Sequence, residues 1–255
     1  MLTQPTIDRL RELRLRGMAD ALSAQMGTAE AVALSFEERL GLLVDAEWTH
    51  RRNTMLVRLL REARLRLPAC PEDVEFSAAR GLDRATWRAL FAGDFALHHQ
   101  NVLIVGATGV GKTYLACALG HACCRLGLRA RYLRLGRLLE EMALARVDGT
   151  YGTLFARLSK ADLLILDDFG ISPLSGAEAR ELLEIVDDRY ERRSTVVCSQ
   201  LPLSEWHRAI SDPTLADAVL DRLVHGAHKF TLSGESMRKK KGGGTVKDTG
   251  AEATL

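Results

Sequence analysis

Gly106-Ala107-Thr108-Gly109-Val110-Gly111-Lys112-Thr113 is the stretch whose reading decides the fold. It meets the pattern G-x-x-x-x-G-K-[ST] at every fixed position. An apolar run, Val102-Leu103-Ile104-Val105, enters it, and an Ala/Leu-rich stretch, Tyr114 to Cys124, leaves it. That is strand, loop, helix. Glycines let backbone N–H groups turn inward around phosphate oxygens, and the helix N-terminus adds its partial positive charge. The expected ATP contacts run from Gly106 through Ala107, Thr108, Gly109, Val110, Gly111, Lys112 and Thr113 to Tyr114. Lys112 would reach the β- and γ-phosphates, and Thr113 would place its hydroxyl on Mg²⁺. The competing reading is a glycine-rich turn before a helix, and the matched flanks weigh against it.

A second segment suits the same chemistry. Leu163-Leu164-Ile165-Leu166-Asp167-Asp168 is an apolar run ending in two carboxylates, the form of a Walker B strand. Buried strands carry continuous apolar runs, and catalytic groups gather at their carboxyl ends. Asp167 is expected to hold Mg²⁺, directly or through water, and Asp168 to orient or deprotonate the attacking water. The alternative is an Asp pair capping the turn before Phe169-Gly170. The run Thr195-Val196-Val197-Cys198 ends at Ser199-Gln200. A polar side chain there would sit beside Asp167, although an ordinary polar strand end reads the same way. Arg222, in Leu220-Asp221-Arg222-Leu223, is a candidate arginine finger, because a guanidinium is always charged and can stabilise a transferring phosphoryl group, although most arginines merely decorate surfaces.

The chain has 255 residues, 47% of them hydrophobic, enough for a real core and a smaller appendage. A formal net charge of +2 does not by itself announce a nucleic-acid binder. The five cysteines include no C-x-x-C pair, which points to reduced thiols in a cytoplasm. Arg9, Arg11, Arg14 and Arg16 stand where a signal peptide would be apolar, and no apolar run is long enough to span a bilayer. Residues 1–75 read as a helical N-terminal domain. In it, Ser35 and Glu38 open a helix running through Trp48, and a second, basic helix spans about Arg51 to Leu67. Residues 76–237 read as the ATPase domain with its connector. Its candidate strands are Asn101–Val105, Arg131–Leu133, Leu163–Leu166, Thr195–Cys198 and Lys229–Leu232. Helical stretches between them imply an α/β fold, a parallel sheet covered on both faces. Residues 238–255, with Lys239-Lys240-Lys241 and three glycines, read as a disordered basic tail.

The densest basic segment holds Arg51, Arg52, Arg58, Arg61, Arg64 and Arg66, offset by Glu62 alone. The spacing predicts one helical face for positions 58, 61 and 64. That face would lie along DNA phosphates and give affinity with little sequence reading. A solvated helix surface accounts for it equally well.

Several segments together resemble the IstB-type helper ATPases of bacterial insertion sequences. They are Asp167-Asp168-Phe169-Gly170, Asp188-Arg189-Tyr190-Glu191, Ser199-Gln200-Leu201-Pro202, Glu205-Trp206, Ala218 to His225, and Gly234-Glu235-Ser236-Met237-Arg238. The likeness runs from about residue 1 to 241 and includes Leu10-Arg11 and Gly17-Met18-Ala19. The same AAA+ branch holds the DnaC helicase loaders and DnaA initiators. The resemblance implies a P-loop AAA+ core with a five-stranded sheet in the order 5-1-4-3-2. It also implies ATP-dependent self-assembly, duplex DNA binding, and work alongside the transposase of the same element. It makes Gln200 the sensor 1 candidate, with Ser199 as alternate. It puts Arg222 on the finger position and Arg238 on a late arginine. Gln200 stands where the family usually has Asn, and Met237 where Tyr is common. Neither departure removes a phosphate ligand, so hydrolysis is expected. The alternative function is a DnaC-like replicative helicase loader.

Overall fold

The computed structural model describes residues 3–28, 31, 33–76 and 81–237. Arg238 and the expected basic tail lie outside them. By backbone proximity the chain divides into Met1–Arg61 and Glu62–Leu255. Residues 62–75, which the sequence reading assigns to the N-terminal domain, therefore group with the larger unit.

The first unit contains α1 (Thr3–Glu12), α2 (Arg16–Met26) and most of α3 (Phe36–Ala63). Ser35 and Glu38 close a reciprocal cap at the start of α3: the Ser35 N–H donates to Glu38 Oε2, and the Glu38 N–H to Ser35 Oγ. The two expected helices are one helix of 28 residues. No Gly or Pro falls between Trp48 and Arg51 to break it. It also stops sooner than Leu67, because Arg64 takes a left-handed φ of 50°. Gly17 marks where α2 crosses α3. A Cβ there would stand 2.6 Å from the Ala46 carbonyl oxygen and 2.7 Å from His50 Cβ.

The second unit is built on five parallel strands: β1 (Val102–Gly106), β2 (Ala130–Arg134), β3 (Leu163–Phe169), β4 (Ser194–Ser199) and β5 (His228–Leu232). Their order across the sheet is β2-β3-β4-β1-β5, the expected 5-1-4-3-2 read from the other edge. Asn101, expected to open β1, lies just outside it. Its side chain instead ties three elements, accepting from the Thr195 N–H and donating to the carbonyls of Arg222 and Leu223.

Period-two alternation divides the central strands between two helical layers. Leu103, Val105, Leu164, Leu166 and Val197 pack with α7 (Leu135–Asp148), α8 (Tyr151–Ser159), α9 (Gly176–Arg189) and α10 (Pro213–Val224). On the other face α6 (Lys112–Arg125) runs so close that a Cβ on Gly120 would meet Ile165 Cδ1 at 2.9 Å. Two shorter helices, α4 (Arg84–Ala92) and α5 (Asp94–Leu97), precede β1. Among the described residues, no helix is long and apolar enough to cross a membrane.

Candidate nucleotide site

The glycine-rich stretch joins the carboxyl end of β1 to the first turn of α6. Gly111 holds φ 102° at the N-cap of α6, a conformation that a side chain would strain. Val110 is buried and anchors the loop, whereas Ala107 and Thr108 are exposed. The Lys112 ammonium lies across the loop and donates to the carbonyls of Gly106 at 2.7 Å and Ala107 at 2.8 Å. Tyr114 follows Thr113 in the first turn of α6. Burial raises its phenol pKa, and Asp73, Cys70 and Glu75 are its charged or ionisable neighbours.

Loop and β3 meet at one oxygen. Thr113 Oγ1 donates to Asp167 Oδ2 at 2.8 Å, and the Tyr132 hydroxyl donates to the same atom at 2.7 Å. The Asp168 N–H donates to Asp167 Oδ1 at 3.0 Å. Asp167 is only 1% exposed, and these three donors give both of its buried oxygens hydrogen-bond partners. Burial, then the bond to Asp167, raises the Tyr132 pKa far above that of an ordinary phenol, so it remains a donor at every working pH.

A bulge explains how adjacent acids face different ways. Leu166 pairs with Val197 and Phe169 with Ser199, so β3 spends one residue more than β4 over the same span. Asp168 absorbs the excess at φ 66°. Its carboxylate is turned out to Arg134, at 3.5 Å, and Arg66, at 4.0 Å. Phe169 then returns inward and packs on Trp206, with ring centroids 4.4 Å apart.

Ser199 is spent on this support. Its hydroxyl donates to the Phe169 carbonyl at 2.8 Å and accepts from the Leu201 N–H at 3.0 Å. It is 1% exposed. The alternate sensor candidate is thus a brace, while Gln200 is exposed immediately beyond β4. Strand β4 lies between β1 and β3, so Gln200 emerges at the sheet end that carries the loop and the acid pair.

Arg222 is at the other end. Its carbonyl is bonded to Asn101, at the amino end of β1, while the loop opens from the carboxyl end. Its guanidinium donates to Asp187 Oδ1 and to the Ala218 carbonyl.

The basic segment is divided. Arg51 pairs with buried Glu47 at 2.7 Å, and Arg52 lies 4.6 Å from the Trp48 ring centroid. Arg58 and Arg61 are exposed on α3. Arg64 lies beyond the helix end, so the expected common face of 58, 61 and 64 does not form. Arg66 turns to the acid pair instead of joining a surface stripe.

Tyr132, Arg66, Arg134 and Ser236 are the neighbours that sequence reasoning missed. Tyr132 and Arg134 sit in an unremarkable apolar-basic run, and Arg66 was hidden among other arginines. Ser236 occupies the space where Gly109 lacks a Cβ: its Oγ lies 2.3 Å from that point. The Met237 N–H donates to the Gly109 carbonyl at 2.9 Å.

The donor set suits a nucleoside triphosphate with Mg²⁺: a glycine-rich loop at a helix N-terminus, a lysine, a hydroxyl and a carboxylate with hard oxygen donors. The AAA+ fold has known counterparts. The chain superposes on the DnaC helicase loader with a TM-score of 0.57 at 19% identity, covering 65% of this chain and 97% of that one. It matches AMPPCP-bound DnaA from Aquifex aeolicus with the same score and identity, over 70% of this chain and 54% of that one. In sequence it is 50% identical to the insertion sequence ATP-binding protein y4pL of Sinorhizobium fredii, over 94% of this chain and 98% of the relative. It is 31% identical to the insertion sequence IS21 ATP-binding protein of Pseudomonas aeruginosa, over 94% and 92%. The family model described as IstB-like ATP binding protein matches residues 8–243, and the chain belongs to that family.

Proposed function

We propose that this ATP-binding protein hydrolyses ATP with Mg²⁺, assembles on duplex DNA in the cytoplasm, and regulates transposition by recruiting or stimulating the transposase of its element. The observation that carries the hydrolytic part is the 2.8 Å bond from Thr113 to Asp167, which joins the phosphate loop to the acid strand. In this reading Gly106 to Thr113 wrap the phosphates, and Lys112 faces the β- and γ-phosphates. Thr113 and Asp167 hold the metal, Asp168 orients water, and Gln200 senses the γ-phosphate. Bound Mg²⁺ would neutralise charge on the β- and γ-oxygens.

The position of Arg222 supports a site shared between subunits. Its backbone is a whole strand away from its own loop, about 17 Å for five residues. A neighbour's loop is the better target. Exposed Arg58 and Arg61, with Arg51 and Arg52, supply a phosphate-facing helix for DNA. Membership among insertion-sequence proteins favours transposition over helicase loading, since the likeness to DnaC concerns the fold.

The test combines nucleotide binding, hydrolysis and DNA anisotropy on purified protein. Lys112→Ala should lose ATP binding with an unchanged circular dichroism spectrum. Asp168→Asn should bind ATP and cease turnover. ATP should tighten binding to two unrelated duplexes alike, and added salt should weaken it. Parent-rate hydrolysis by Asp168→Asn would remove the hydrolytic assignment, and DNA affinity indifferent to ATP would remove the assembly.

A further inference from the structure

Residues 64–70, following the last turn of α3, form a strap along α6 and β2. Arg131 donates to the Glu62 carbonyl at 3.0 Å. Leu65 Cδ2 lies 2.8 Å from where a Gly120 Cβ would be. The backbone of Leu67 and Arg66 lies within hydrogen-bonding reach of the Cys117 thiol, and Cys70 Sγ is 3.8 Å from His121 Nε2. With its backbone pinned, the strap delivers one side chain to the acid end of β3. Arg66 Nη1 stands 3.8 Å from Asp167 Oδ2 and 4.0 Å from Asp168 Oδ2. The Tyr132 side chain, whose hydroxyl donates to that same Asp167 oxygen, is the largest influence keeping the Arg66 guanidinium charged.

The phosphate cradle has no need of this arginine, because Lys112 and Thr113 already line it. At these separations the contact with the acids acts by charge through space more than by hydrogen bonding. A guanidinium keeps its charge at all working pH values, and the strap holds this one beside the acids. It therefore occupies the same carboxylate field that a divalent cation needs. Arg134, at 3.5 Å from Asp168, adds to that field from β2.

We infer that Arg66 is a positioning residue that restrains metal capture: its strap-held cation lowers the affinity of the Asp167/Asp168 pair for a divalent ion. This rests on the reading of that pair as the metal and water site. Any movement of the strap would release the restraint, and the strap begins where α3 ends.

The test uses the full chain with ADP and Mn²⁺, and reads bound Mn²⁺ by electron paramagnetic resonance. Arg66→Gln and Arg66→Met share only the loss of charge. Each should bind Mn²⁺ about fivefold more tightly, a modest factor because Arg66 is one-third exposed. Arg66→Lys should stay near the parent. Should one neutral variant fail to fold, as judged by its melting curve, the other carries the comparison. Asp167→Asn separates the two claims. If it binds Mn²⁺ like the parent, the site reading falls. If it loses Mn²⁺ while folded neutral variants bind no tighter than the parent, the restraint alone is overturned.

Discussion

Arg189 offers a stability test whose size can be worked from the structure. It is 2% exposed at the end of α9. Its guanidinium donates to the carbonyls of Leu158, Ala161 and Ser194 and to Thr195 Oγ1. Burial pulls its pKa down to about 9, which leaves it charged at neutral pH. Arg189→Met keeps much of the volume and takes a donor from three buried carbonyls, of which that of Leu158 keeps the Ala161 N–H. Each lost partner costs about 1–3 kcal/mol. Relief from burying a charge offsets part of that. We expect a net loss of about 3 kcal/mol, equivalent to a fall of about 6–12 °C in melting temperature for a unit of this size. Arg189→Lys should lose about half as much, since one ammonium cannot span four divergent acceptors. Differential scanning calorimetry reads the transition. A melting temperature within about 1 °C of the parent for Arg189→Met would refute the clamp. The clamp also matters to the site, because it fixes the amino ends of β3 and β4, whose opposite ends carry Asp167 and Gln200.

Three further outcomes follow from particular contacts. Gly17→Ala should destabilise the N-terminal helices by about 1–3 kcal/mol, because its methyl would collide with Ala46 and His50; loss of helical circular dichroism at lower temperature checks this. In native protein at pH 8, a maleimide should label Cys70 alone. Burial raises the pKa of Cys117 and Cys198 and pushes Cys123 to about 12 and Cys124 to about 11, so thiolate is scarce at those positions until far higher pH; in denaturant, mass spectrometry should count all five. Turnover per subunit should rise with protein concentration, and mixing Arg222→Ala with Lys112→Ala should restore part of it. No recovery at any ratio, with mixed assemblies confirmed, would exclude a shared site.

The phosphate loop and the acid strand were legible because their signals are local. A glycine pattern, a lysine and an apolar run ending in acids need no partner to be seen. The three central strands were equally plain as short apolar runs, while β2 and β5, which carry Arg131 and Lys229, were read from their place between helical stretches. Tyr132 and Arg66 were illegible for the opposite reason. Their roles arise from what the sheet register and the strap bring alongside: Arg134 opposite Asp167, and Tyr132 one pleat back on the same face. Arg66 was read with Arg58 and Arg61 because periodicity cannot show where a helix yields to a turn. Trp206 and Arg189 belonged to quoted family segments, yet only packing shows them to be supports.

The tie between Asn101 and the Arg222 carbonyl gives the core a direction. One end of β1 opens the phosphate loop, and the other holds the arginine. Copies meeting loop to arginine must stack head to tail, a contact that closes into a ring or runs on as a helix. In an open stack the arginine of one terminal copy meets no loop, and the loop of the other meets no arginine. Such a stack completes one site fewer than it has subunits, whereas a ring completes them all. Short open stacks would then be poor catalysts per subunit, and on the proposed function growth along DNA would itself raise the specific rate.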